Sequence, residues 1–72
     1  MAEGTVKVWH AEQGWGVISS PDLPAGQDAW AHFSDIVAEG YRSLEAGERV
    51  TFEIVQRPQD GYDFVATDVR AV

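Results

Sequence analysis

The sequence contains no cysteine. That excludes disulfides and thiolate metal sites, so the fold rests on its own apolar core. No uninterrupted apolar run exceeds three residues, whereas a membrane-spanning helix needs roughly 20. The chain opens Met1-Ala2-Glu3-Gly4, with neither a basic start nor an apolar stretch. No secretory leader is therefore expected, and the expected compartment is the cytoplasm. Positive charge is scarce: five basic residues stand against 12 acidic ones, for a net charge of −7. Taken alone, this argues against a polyanionic partner, whose recognition ordinarily begins with a basic footprint. Low-complexity tracts, internal repeats and blocks of like charge are absent as well.

What remains is a chain of 72 residues that is 44% hydrophobic and 24% charged, ordinary values for a globular domain. Residues 1–72 are read as a single domain, and one this small buries only about 60% of its unfolded surface. No segment sustains helical periodicity. Short runs rich in Val, Ile, Phe and Trp recur instead, separated by Gly, Pro, Asp and Ser, which predicts an all-β domain. The predicted strands are Thr5 to His10, Trp15 to Ser19, Asp28 to Phe33, Glu48 to Val55 and Tyr62 to Val69. Ser20 to Gln27 reads as a loop, and Arg57 to Gly61 as a turn. Ser34 or Asp35 is expected to cap a short helical turn through Glu39, ended by Gly40. Five strands in this length suit a small closed barrel better than a sandwich.

Side chains alternate faces along a strand. In the fourth run Val50, Phe52 and Ile54 share one face, with Thr51 and Glu53 opposite: core on one side, water on the other. The second and third runs differ. Gly16, Ala29 and Ala31 are small enough for a tight barrel interior, which places Trp15, Trp30 and His32 outside. Burying a Trp in so small a domain would stabilise it by several kcal/mol, so an outward aromatic patch calls for a reason. Three readings stand side by side. The register is shifted by one and the tryptophans point inward; or the patch binds a protein; or it is a platform on which nucleobases stack, each stack worth roughly 1–3 kcal/mol.

Five segments in order now carry a resemblance. They are Gly4-Thr5-Val6-Lys7-Val8-Trp9-His10, Gln13-Gly14-Trp15-Gly16-Val17-Ile18, Ala29-Trp30-Ala31-His32-Phe33 followed by Ser34-Asp35-Ile36, Gly40-Tyr41-Arg42-Ser43-Leu44, and Val50-Thr51-Phe52-Glu53-Ile54. Across nearly its whole length the chain resembles the bacterial cold-shock domain family. The corresponding family patterns are G-x-V-K-W-F-N, K-G-[FY]-G-F-I, V-F-V-H-F, G-[FY]-[KR]-[ST]-L and V-x-F-E-I. The resemblance implies a five-stranded antiparallel OB-fold barrel that binds single-stranded RNA or DNA. Many family members are also acidic, which weakens the objection from charge.

Position by position, the resemblance implies that Trp15, Trp30, His32 and Phe33 stack on bases, with Tyr41 stacking from the long connecting loop. Lys7 pairs with a phosphate or a base edge, and Asp28 accepts a hydrogen bond from a base. Arg57 falls in a turn where the family often has a basic residue. Trp9, placed with Lys7 on the outer side by alternation, joins the edge of the platform. The implied core is Val6, Ile18, Ala29, Ala31, Ile36, Val50, Ile54 and Val69. The chain departs from the pattern at Val8 and Val17, where the family has aromatics, and at Gln13, where it has Lys. The loop before Asp28 and the turn around Asp60-Gly61 are longer than in compact members. This reads as a divergent member with altered affinity or base preference.

Other chemistry is weakly represented. His10 and His32 are the only histidines, and one histidine with flanking carboxylates is a poor metal signal. Gly14 and Gly16 form G-x-G, but a strand rather than a helix follows, which does not make a phosphate-cradling loop. A barrel filled by its own side chains leaves little room for a catalytic pocket. No enzyme activity, cofactor, small-molecule substrate or membrane partner is expected, and the chain is expected to be a monomer. The favoured function is single-stranded nucleic-acid binding by base stacking, as an RNA chaperone or a regulator of transcription or translation. The alternative is a protein-interaction module on the same barrel, with weakened nucleic-acid binding.

Overall fold

In a computed structural model, residues 1–37 and 43–72 are described. Strand β1 (Ala2–His10) leads through a tight turn to β2 (Trp15–Ser19). After the loop 20–28 comes β3 (Ala29–His32), then a single 3-10 turn, Phe33–Asp35. The long strands β4 (Arg49–Gln59) and β5 (Tyr62–Ala71) complete the fold. The strands close into a barrel in the order β1-β2-β3-β5-β4.

All neighbours pair antiparallel except β3 and β5, which run parallel through Ala29 with Phe64 and Trp30 with Val65. The expected all-antiparallel barrel is thus corrected at one seam, and the reason is parity. Strand directions cannot alternate around a closed ring of five, so at least one pair must be parallel. The seam falls between β3 and β5, which no hairpin joins.

β1 begins three residues earlier than Thr5, the start expected from the sequence, because it serves two partners. Ala2–Thr5 pair with Phe52–Arg49 of β4, and Thr5–His10 pair with Ser19–Trp15 of β2. The β4–β5 hairpin also runs further than expected. Arg57, Pro58 and Gln59 belong to β4, and the turn shrinks to Asp60 and Gly61, with φ of 50° and 86°. Two consecutive left-handed residues match the twist of a two-residue hairpin. The register irregularity between Gln56 and Gln59 accommodates Pro58, which has no N–H to give the ladder.

The short helical turn has a different cap from the one expected. His32 is the capping residue: its Nδ1 accepts from the Ser34 N–H at 3.3 Å, and the Asp35 carboxylate accepts from the His32 N–H at 3.3 Å. The turn ends at Ile36, which is extended. Glu39 and Gly40, to which the expected turn ran, lie outside the described residues.

The barrel core contains Val6, Ile18, Ala29, Ala31, Ile36, Val50 and Val69, as expected, with Phe52 and Ala66. Ile54 is only half-buried and packs against this core from its margin. Two loop leucines, Leu23 and Leu44, join the core as well, each burial worth about 1.5–3 kcal/mol. Among the described residues no helix is long and apolar enough to cross a membrane.

Candidate nucleic-acid interface

The outer face of β2 and β3 carries the aromatic residues. β2 and β3 pair with Trp15 opposite His32, Gly16 opposite Ala31, and Val17 opposite Trp30. Gly16 and Ala31 are buried, and alternation sends Trp15, Val17, Trp30 and His32 to the outside. The rings form a continuous ladder. His10 meets Trp15 at 4.4 Å between centroids, tilted by 46°. Trp15 stacks on Trp30 at 6.3 Å, and Trp30 on His32 at 5.9 Å, both within 20° of parallel. His32 meets Phe33 at 4.5 Å, tilted by 43°. These spacings are those of offset-stacked and tilted aromatic pairs.

Three of the five rings are held by further identifiable contacts. The Trp15 indole N–H donates to Gln13 Oε1 at 2.9 Å. His32 Nδ1 lies 2.8 Å from Ser34 Oγ. The Phe33 ring lies against Gly14, where an added Cβ would come within 2.8 Å of Phe33 Cδ1. Gly14 also has φ of +79°, a backbone state that strains most other residues. The Phe33 N–H donates to the Gly14 carbonyl at 2.8 Å, which ties the β1–β2 turn to the end of β3.

Trp30 corrects the picture of an exposed patch. It lies on the outer side of the barrel yet is only 7% exposed. Trp15 and His32 flank its ring, and Val17 and Val65 are its neighbours across the strands. Val17, Trp30 and Val65 are buried but lie outside the main core cluster. They form a second, outer apolar row to which the ladder is anchored. Trp30 Nε1 is buried and has no hydrogen-bond partner among the described residues. Phe33 remains the open end of the ladder at 44% exposure.

Trp9 is not part of this platform. The register of β1 against β2 shifts between Val6 and Val8, so Lys7 is the extra residue of a bulge, and a one-residue slip reverses every face beyond it. Val8 pairs with outward Val17, and Trp9 pairs with Gly16 and packs against the core. The fit is close: a Cβ on Gly16 would collide with the Trp9 ring at Cε3. The two glycines of the G-x-G therefore each seat a ring, Phe33 outside and Trp9 inside. The same bulge turns His10 outward opposite Trp15. Sequence reasoning missed His10 because strict alternation does not survive the extra residue; the signal available was the small Gly16, which leaves room for the Trp9 ring.

Lys7 and Asp28 are brought together as an ion pair, Nζ to Oδ2 at 3.1 Å, with the Lys7 side chain 63% exposed. They stand beside a groove of about 690 Å³ beneath the loop 20–28. None of the ladder rings lines it. Its charged residues are Lys7, Arg49, Glu3 and Asp28, which balance, so the groove has no electrostatic preference for phosphate. Arg57 is exposed in the distal part of β4. Tyr41 lies outside the described residues. Among the described residues no group of three His, Asp or Glu side chains is placed to hold a metal ion.

Comparison of the sequence with known proteins points to one family. The sequence model of the 'Cold-shock' DNA-binding domain matches residues 2–72. The chain is similar to the Major cold shock protein of Streptococcus pyogenes serotype M18, at 48% identity over 54 residues, which are 75% of this chain and 76% of that protein. It is similar to Cold shock protein ScoF of Streptomyces coelicolor, at 48% over 56 residues, 78% and 81% of the two chains. Cold shock protein CspA of Staphylococcus saprophyticus is 46% identical over 56 residues, 78% and 80%.

Proposed function

The chain belongs to the cold-shock domain family, and from that membership we propose that it binds single-stranded RNA or DNA by stacking bases on the His10–Phe33 ladder. Residues 1–72 act as one such domain. The observation that carries the reading is the ladder itself: a continuous row of rings on the outside of a barrel whose inside is already filled. Every base has a π-face, so stacking takes single strands with little sequence preference. A base held on a ring is unavailable for pairing. The protein thus acts as an RNA chaperone or a regulator of transcription or translation, holding strands open and releasing them quickly.

The proposed contacts are stacking on Trp15, His32 and Phe33, with Trp30, covered by its neighbours, holding those rings in place, and with Tyr41 and Arg57 contributing further contacts. Lys7 supplies charge, and Asp28 an acceptor for a base. With so few cations, stacking rather than counterion release carries the affinity. Neutralising roughly two phosphates gives a log–log salt slope of about −1.4 on single strands.

The test is tryptophan fluorescence during titration with a short oligothymidine or oligouridine at two salt concentrations. Trp15 and Trp30 are in the ladder, while Trp9 packs against the core and provides a steady background. Saturable quenching with a shallow salt slope is the expected result. A steep slope contradicts a stacking-dominated mechanism. No quenching at tens of micromolar overturns the reading in favour of a protein partner, for which the net charge of −7 selects a basic surface.

A further inference from the structure

Gln13 stands in the β1–β2 turn, where the family pattern has Lys, so its first effect is the loss of a cation. Its side chain has another use in this chain. Gln13 Oε1 accepts the indole N–H of Trp15 at 2.9 Å, and the His10 ring packs against the same indole at 4.4 Å. Trp30 stacks beside it. The Trp15 ring is therefore fixed in-plane by a directional hydrogen bond as well as by ring contacts. A phenylalanine at this position has no N–H and cannot be held in this way.

We propose that Gln13 is a positioning residue for nucleic-acid binding: it holds the Trp15 indole in its stacking orientation before a base arrives. The inference rests on the stacking reading of the ladder and deepens it. Ordering a mobile side chain on binding lowers affinity, and a ring already ordered avoids that loss. The turn is rigid enough to serve as the anchor. The N–H groups of Gln13 and Gly14 both donate to the His10 carbonyl, at 3.1 and 2.8 Å. Gln13 itself is exposed, so substitution there leaves the core untouched.

The experiment is a double-mutant cycle, read as anisotropy of a labelled oligothymidine. Gln13→Met keeps the length of the side chain and removes the acceptor. Trp15→Phe keeps a ring and removes the donor. The expected result is that Q13M weakens binding about three- to tenfold beside Trp15, with salt slope and thermal midpoint unchanged, and has no effect beside Phe. Gln13→Glu retains an acceptor, so at high salt, where its added charge is screened, it binds like the wild type while Q13M stays weak. Equal losses from Q13M in both backgrounds, or no loss in either, overturn the positioning role alone. Failure of the wild type to bind any oligonucleotide overturns the stacking reading beneath it.

Discussion

The two faces of β2 and β3 use the same backbone for opposite purposes. Inward, Gly16, Ile18, Ala29 and Ala31 are buried, and the small ones set how closely strands and the Trp9 ring can approach. Outward, Trp15, Trp30 and His32 stack on one another, and only Trp30 is deeply covered. The inside is limited by volume: a methyl group too many has nowhere to go. The outside is limited by orientation, since a ring serves stacking only if its face is presented. Trp30 sits between these regimes. It is a ladder ring by direction and a core residue by burial, so it links the stability of the barrel to the shape of the surface.

That contrast can be broken most forcefully from the inside. Phe52 is the largest fully buried side chain, and Phe52→Ala is expected to cost about 3–5 kcal/mol. In a domain of this size that takes much of the chain to the unfolded state, read as loss of the cooperative thermal transition. A mutant that kept a sharp transition would show that the interior is not limited by volume.

The outer ladder gives the sharper division. Trp30→Ala is expected to lower both stability, by about 3 kcal/mol, and affinity for oligothymidine. Trp15→Ala, which removes a half-buried ring, is expected to lower affinity by about 1–3 kcal/mol while lowering stability by about 1 kcal/mol, clearly less than Trp30→Ala does. Trp30→Phe is the control: it keeps a ring and removes the unpartnered N–H, so the thermal midpoint should hold or rise. Calorimetry and anisotropy on the three variants decide the matter. If both alanine variants lost stability equally, the distinction between an anchored and a free ladder ring would fail.

The smallest effect concerns Lys7. Its partner Asp28 competes with any phosphate that approaches, and an exposed pair of this kind is worth about 0.2–1 kcal/mol. Asp28→Asn is therefore expected to tighten oligothymidine binding by at most about fivefold at low salt, with the gain fading as salt screens it. Weaker binding by the variant would instead assign Asp28 mainly to hydrogen bonding with a base.

Much of the barrel was legible because local chemistry sets it. Val50 and Phe52 alternate with polar residues, and Ala29 and Ala31 flank Trp30, so pleat alone sorts inside from outside. The Asp60-Gly61 pair marked its hairpin, although the strand around Pro58 ran longer than a proline suggests. Leu23 and Leu44 were not readable as core residues, because each sits in a loop with no periodicity to point it inward. Trp9 was misplaced because a single-residue bulge leaves no mark in local composition. His10 was missed for the same reason, and Gln13 was legible only as an absent cation.

The sequence by itself determined the all-β class and the five strands, and it favoured small residues inside with the β2–β3 aromatics outside, since these follow from side-chain size and a period of two; the strand register then settled the faces. The tertiary structure decided the parallel seam between β3 and β5, the faces of Trp9 and His10, the burial of Trp30 and the pairing of Gln13 with Trp15. Each of these depends on which residue of one strand lies opposite which residue of another. Register is settled by closing the barrel and filling it, a condition on the whole chain that no local segment contains.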